Sequence, residues 1–93
     1  MSHYKLIDNE KLMQYEYHTE HGTALIEYSK PTSDEILLTH VETPESLQGK
    51  GVGRMLVEDC LKDIDRQQLK LTPVCPFVVW YINRHPEWKR LTD

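Results

Sequence analysis

Cysteine, glycine and cationic side chains are all scarce in this chain. Its 93 residues include two cysteines, four glycines and 11 Lys+Arg against 15 Asp+Glu. The two cysteines, Cys60 and Cys75, sit in stretches of different character and make no disulfide framework, so a reduced, cytoplasmic setting is expected. A formal net charge of −4 leaves no basic face, which argues against non-specific nucleic-acid binding. No apolar run approaches the roughly eighteen residues of a membrane span. The opening Met1–Glu10 segment is polar and lacks a signal-peptide core. His18 and His21 flank Glu20 across a turn, but no second ligand pair accompanies them, so no metal site is expected. A chain this short buries only roughly 60–65% of its unfolded surface, which predicts one domain, residues 1–93, with a thin core.

What is present is unevenly placed. Three of the four glycines alternate in Gln48-Gly49-Lys50-Gly51-Val52-Gly53. Before them, Ile36 to Val41 is apolar at almost every position and reads as a central strand covered on both faces. After them, Arg54 to about Arg66 reads as an amphipathic helix. Val52, Leu56, Val57, Cys60, Leu61 and Ile64 share one face, while Arg54, Glu58, Lys62 and Asp63 lie mostly off it. The glycines therefore occupy a strand-to-helix turn. Glycine permits positive φ and, lacking Cβ, close approach of a ligand to the backbone. A helix start supplies unpaired N–H groups and partial positive charge, so the turn reads as a seat for phosphate. It is not a P-loop, because Pro44 stands where that motif needs glycine, nor a dinucleotide fingerprint, because Arg54 replaces the third glycine.

The remaining elements follow from periodicity and turn signals. Tyr4 to Ile7 is either a short strand or a tail. Lys11 to His18 alternates, with Met13, Tyr15 and Tyr17 on one side and Gln14, Glu16 and His18 on the other. Glu20-His21-Gly22 reads as a hairpin turn with positive φ at Gly22. Thr23 to Lys30 is the next strand, with Ala24, Ile26 and Tyr28 on one face. Tyr15, Tyr17 and Tyr28 read as cross-strand pairs, since no basic face exists to make them a stacking platform. Leu69 to Val74 is a strand reached by a parallel crossover. Cys75-Pro76 opens a second helix, about Phe77 to Arg84, which Pro86 ends. The order β-β-β-α-β-α predicts an α+β fold: a mostly antiparallel sheet with one parallel β-α-β crossover. Cys75 stands at the end of a strand and just ahead of a helix, a place that favours thiolate.

Gln48, Gly51 and Gly53 meet the pattern Gln/Arg-x-x-Gly-x-Gly/Ala, which resembles the acyl-CoA pyrophosphate loop of the GNAT acetyltransferase superfamily. The segments Leu38-Thr39-His40-Val41-Glu42-Thr43-Pro44, Cys75-Pro76-Phe77-Val78 and Tyr81-Ile82-Asn83-Arg84-His85-Pro86-Glu87-Trp88 are similar to those of the small, single-domain GNAT-like family. The resemblance covers roughly Lys11 to Trp88. It implies a minimal GNAT-like fold and acetyl-CoA as cosubstrate, with no metal. It also implies an amine acceptor, either a small molecule or a protein lysine, and a monomer or weak dimer.

By that resemblance, backbone N–H groups from Gly49 to Arg54, through Lys50, Gly51, Val52 and Gly53, hold the pyrophosphate after Gln48. The Lys50 and Arg54 side chains add charge, and Asn83 touches CoA. The Val41 N–H polarises the thioester carbonyl, and Tyr81 protonates the leaving thiolate. Two mechanisms stand open: Cys75 accepts the acetyl group covalently, or an amine attacks directly with His40 or Glu42 as base. Full-length GNAT enzymes have helices after the first strand and a strand pair after the last helix, elements not read here. A non-catalytic acyl-CoA-binding or interaction module is therefore the alternative.

Overall fold

The computed structural model describes residues 4–93; the first three residues of the polar Met1–Glu10 segment lie outside them. The strands are β1 (Ile7–Asn9), β2 (Gln14–Thr19), β3 (Gly22–Ser29), β4 (Glu35–Glu42) and β5 (Lys70–Pro73). The helices are α1 (Val52–Arg66) and α2 (Pro76–Arg84), with short 3-10 segments at Glu45–Leu47 and Pro86–Thr92. One sheet runs in the order β1-β2-β3-β4-β5. Its pairs are antiparallel except β4 with β5, which are parallel across the α1 crossover. This is the expected α+β, minimal GNAT-like architecture, with a short first strand added.

Two strand starts differ from the sequence reading by three residues; other bounds shift by one or two, α1 opening at Val52 rather than Arg54. The first strand is Ile7–Asn9 rather than Tyr4 to Ile7. β2 begins at Gln14 rather than Lys11, because Glu10–Met13 forms a turn closed by the Met13 N–H on the Glu10 carbonyl at 3.3 Å. Met13 takes φ 54° there and is exposed, so it does not share the face of Tyr15 and Tyr17. Alternation along the chain ran on through a turn that breaks it. The hairpin matches expectation: Thr19 pairs with Gly22, whose φ is 118°.

The core lies between one sheet face and both helices. Tyr15, Tyr17, Ala24, Ile26, Tyr28, Ile36 and Leu38 are buried on that face. Val52, Leu56, Val57, Cys60, Leu61 and Ile64 meet them from α1, and Val78, Tyr81 and Ile82 from α2. The tyrosines bury their rings and place their hydroxyls on carboxylates at the rim, as buried Tyr must. Tyr15 donates to Asp63 at 2.8 Å, Tyr28 to Asp8 at 2.6 Å, and Tyr17 to Asp59. Each such tyrosine ties helix or edge to sheet at two points.

The other face is open, which corrects the expectation that β4 is covered on both sides. Glu35 and Leu37 are only half-buried, and Thr39, His40 and Glu42 are exposed. The cause is topological: α1 and α2 pack beside each other on one face, with Tyr81 of α2 donating to Glu58 of α1. Glu16 is the exception on the open face, 5% exposed. Its carboxylate accepts from Asn9 at 2.9 Å and meets the His18 ring at 2.7 Å.

Burial pushes the Glu16 carboxyl up, but hydrogen bonds from Gln14, His18 and Asn9 outweigh it and hold the group below its ordinary 4.5. A carboxyl held low in the folded state contributes stability that is full above the ordinary value and lost as pH falls through the folded one. Glu16→Gln is thus expected to be less stable than the parent at neutral pH. Melting curves taken between about pH 6 and pH 3 should show that gap closing toward the acid end. A gap that stays constant with pH would contradict this assignment.

Candidate functional site

The site begins where β4 leaves the sheet. Pro44 enters the 3-10 turn Glu45–Leu47, whose Leu47 side chain is buried and whose N–H donates to the Pro44 carbonyl at 2.9 Å. The chain then turns back on itself at Gly49 and Gly51, which take φ of 80° and 84°. An L-residue pays steric energy at such angles, and glycine does not. Gly51 caps α1 and offers no side-chain hydrogen bond to it. The first helical bond runs from the Met55 N–H to the Gly51 carbonyl at 3.1 Å. The N–H groups of Val52, Gly53 and Arg54 therefore have no partner within the helix. The first turn carries no acidic residue, so the positive end of the helix dipole stands uncompensated.

Beside this helix start the sheet parts. β5 follows β4 only as far as the pair Leu38–Pro73. The Leu38 carbonyl accepts the N–H groups of both Val74 and Cys75, at 3.0 Å each, and the chain turns away into α2. β4 continues to Glu42 with no strand among the described residues on that side. The gap opens into a cavity of about 600 Å³. Val41, Glu42 and Thr43 form one wall, the loop from Leu47 to Arg54 another, and Phe77 and Trp80 a third. The two aromatic rings stack with centroids 5.4 Å apart. Gly53 lets the walls approach: a Cβ there would lie 3.4 Å from the Phe77 ring and 3.6 Å from Thr43.

A β-bulge decides what β4 presents. Its register with β3 passes from Tyr28–Leu38 to Glu27–His40, leaving Thr39 as the extra residue. Such an insertion reverses the side on which later residues point. Ile36 and Leu38 face the helices, and without the bulge His40 would follow them. Instead Val41 joins the helix side opposite Ile26, while His40 and Glu42 turn to the open face. The His40 ring lies 2.8 Å from a Glu42 carboxylate oxygen, both side chains at least half exposed. Glu42 stands at the lip, reaching both the open face and the cavity.

Val41, Glu42, Gln48, Gly49, Gly51, Val52, Gly53 and Arg54 all line this one cavity. The other sequence-derived candidates do not. Lys50 borders a second hollow of about 510 Å³ between α1 and α2, together with Tyr81 and His85; Gly51 and Arg54 border both hollows. The Tyr81 ring stacks on His85 at 4.3 Å. Burial and the neighbouring Glu58 carboxylate push its phenol well up. Glu58 in turn is held low by that hydrogen bond. Cys75 is 7% exposed, caps α2 and borders neither hollow. Asn83 lies at a third hollow beside Pro73 and Val79. Phe77 and Trp80 are the side chains sequence reasoning missed. The available signal was their spacing of three along α2, which puts both on one helical stripe.

Comparison with known proteins bears on the family and the fold. The model of the GCN5-related N-acetyl-transferase family matches residues 14–91. No curated protein sequence matches the chain. Among solved structures, the NMR solution structure of a GCN5-like candidate N-acetyltransferase from Staphylococcus aureus superposes with a TM-score of 0.73. It does so over 98% of this chain and 89% of that one at 22% identity, a likeness of fold.

Proposed function

The chain belongs to the GCN5-related N-acetyltransferase family, and from that premise we propose that it binds acetyl-CoA in the cleft beside β4 and transfers the acetyl group to an amine. The observation that carries this reading is the start of α1, which has no side-chain cap, at a gap between parting strands. Two diphosphate oxygens fit the N–H groups of Val52, Gly53 and Arg54, where the helix dipole favours negative charge. The Arg54 guanidinium, folded close to Gly51, adds a charge-assisted contact. The pantetheine arm extends along the unpartnered stretch of β4, with Phe77 against it. The Val41 N–H polarises the thioester carbonyl.

Direct transfer suits the side chains best. The amine nitrogen attacks the carbonyl carbon, the C–N bond forms and the C–S bond breaks. The His40–Glu42 pair takes the amine proton, and the CoA thiolate leaves to be protonated by solvent. Cys75 lies outside the cleft, and Tyr81 holds its proton on Glu58, which makes it a poor acid. Cys75→Ser is accordingly expected to retain acetyl-CoA affinity and transfer rate within about twofold. A rate at background in that variant would restore the covalent route. The two buried, unlinked thiols fit a reducing cytoplasm.

The test is calorimetric titration with acetyl-CoA and with CoA, followed by a mass-spectrometric screen of amines. Dissociation constants of about 1–100 μM are expected. No binding at millimolar ligand would overturn the proposal. Binding without transfer to any amine would leave a non-catalytic acyl-CoA module.

A further inference from the structure

On the reading that the cleft holds the acyl donor, we infer that the open face of the sheet docks the acceptor, and that the acceptor is an extended basic segment of a polypeptide carrying lysine. The strand registers place Glu16, Leu25, Glu27, Glu35, Leu37, His40, Glu42 and Lys70 on that face. With histidines neutral, three carboxylates that reach solvent, Glu27, Glu35 and Glu42, stand there against one ammonium, Glu16 being buried among its own partners. No helix among the described residues crosses it, since α1 and α2 both pack on the other side.

Several features choose the occupant. The carboxylates are spread rather than gathered: Glu35 and Glu42 stand at opposite ends of β4, roughly 20 Å apart at strand rise. A small amine cannot reach both, whereas about six residues of extended chain span that distance. Half-buried apolar side chains lie between the charges, Leu25 in register with both Glu16 and Glu42, and Leu37 two positions from Glu35. Lysine covers such ground with its aliphatic stem while its ammonium reaches a carboxylate. A second copy of this chain would bring the same negative charge to the contact and be repelled. Finally, the face is continuous with the cleft. Glu42 belongs to both, so a lysine docked near the His40–Glu42 pair stands at the opening through which β4 meets the donor.

The experiment uses the full chain and a labelled ten-residue peptide alternating lysine and glycine, followed by fluorescence anisotropy and by amide chemical shifts. Binding is expected to perturb Leu25, Glu27 and Leu37 amides and to spare the middle of α1. The double variant Glu27→Gln, Glu35→Gln should weaken the peptide by about fivefold, two exposed ion pairs' worth, and leave acetyl-CoA affinity unchanged. Peptide binding equal in variant and parent, or shifts confined to the helical side, would overturn the inference. So would full displacement by spermidine at equal amine concentration, which would make the acceptor a small polyamine. A dimer that the double variant dissociates would also overturn it and give the face to a second copy. Loss of acetyl-CoA binding with peptide binding intact would instead sink the transfer reading alone.

Discussion

Gly51→Val is expected to weaken acetyl-CoA binding about a hundredfold while leaving a folded protein. Two effects combine. Gly51 has φ 84°, where a β-branched residue costs on the order of 1–3 kcal/mol. The new Cβ would lie 3.3 Å from the Arg54 guanidinium, so the cation that flanks both hollows must give by a few tenths of an ångström. Relief of that strain rotates the turn and spoils the convergence of the Val52, Gly53 and Arg54 N–H groups. Each hydrogen bond to a charged ligand is worth about 1.5–3 kcal/mol, and about 2.7 kcal/mol is a factor of a hundred. A domain of ordinary stability, about 5–15 kcal/mol, survives the strain. Gly49→Ala is the matched control. Its φ is 80°, but an added Cβ meets nothing within 4 Å, so only backbone strain is added and the affinity loss should be several-fold. Calorimetry and thermal melts on the two variants separate binding from folding. Equal affinity in Gly51→Val and parent would contradict the role given to the helix start.

Leu56→Ala is expected to remove about 3 kcal/mol of stability. Leu56 is fully buried on α1, in the helix that packs against β2, β3 and β4 together. The truncation leaves a cavity between helix and sheet that neither rigid layer can close, so the cost combines lost transfer energy with the void. For a domain of this size that is a fall in Tm of about 12–24 °C. The core has little redundancy, because no helix among the described residues covers the second sheet face to share the load. Denaturant titration reads the loss directly, and a change below about 1 kcal/mol would show that α1 does not hold the sheet as described.

Much of this architecture was legible because local and tertiary preferences agree. The tyrosine and aliphatic alternation of β2 and β3, the apolar stripe of α1 and the proline opening α2 each point to the observed element. The glycines mark the cleft for the same reason: scarce elsewhere, they sit together where the backbone needs them. What escaped had no local signature. The bulge at Thr39 exists only in the register with β3, yet it decides that His40 faces outward. Met13 continued a period that its own backbone breaks. Burial of Cys75 depends on both N–H groups at Val74 and Cys75 closing onto Leu38, some 36 residues earlier. Tyr81 finds its partner Glu58 on another helix, 23 residues away. The coverage of β4 was misjudged because hydrophobicity along a strand does not say how many helices will cover it.

The central claim is that the turn from Gly49 to Arg54 and the free stretch of β4 together seat acetyl-CoA. Amide hydrogen exchange, recorded residue by residue with and without saturating acetyl-CoA, tests it most directly. The account predicts slowed exchange concentrated at residues 49–54 and at Val41 to Thr43, with little change along the open-face strands β1 and β2. Unaltered exchange at residues 49–54 under saturating ligand, or protection that appears only elsewhere, would contradict it.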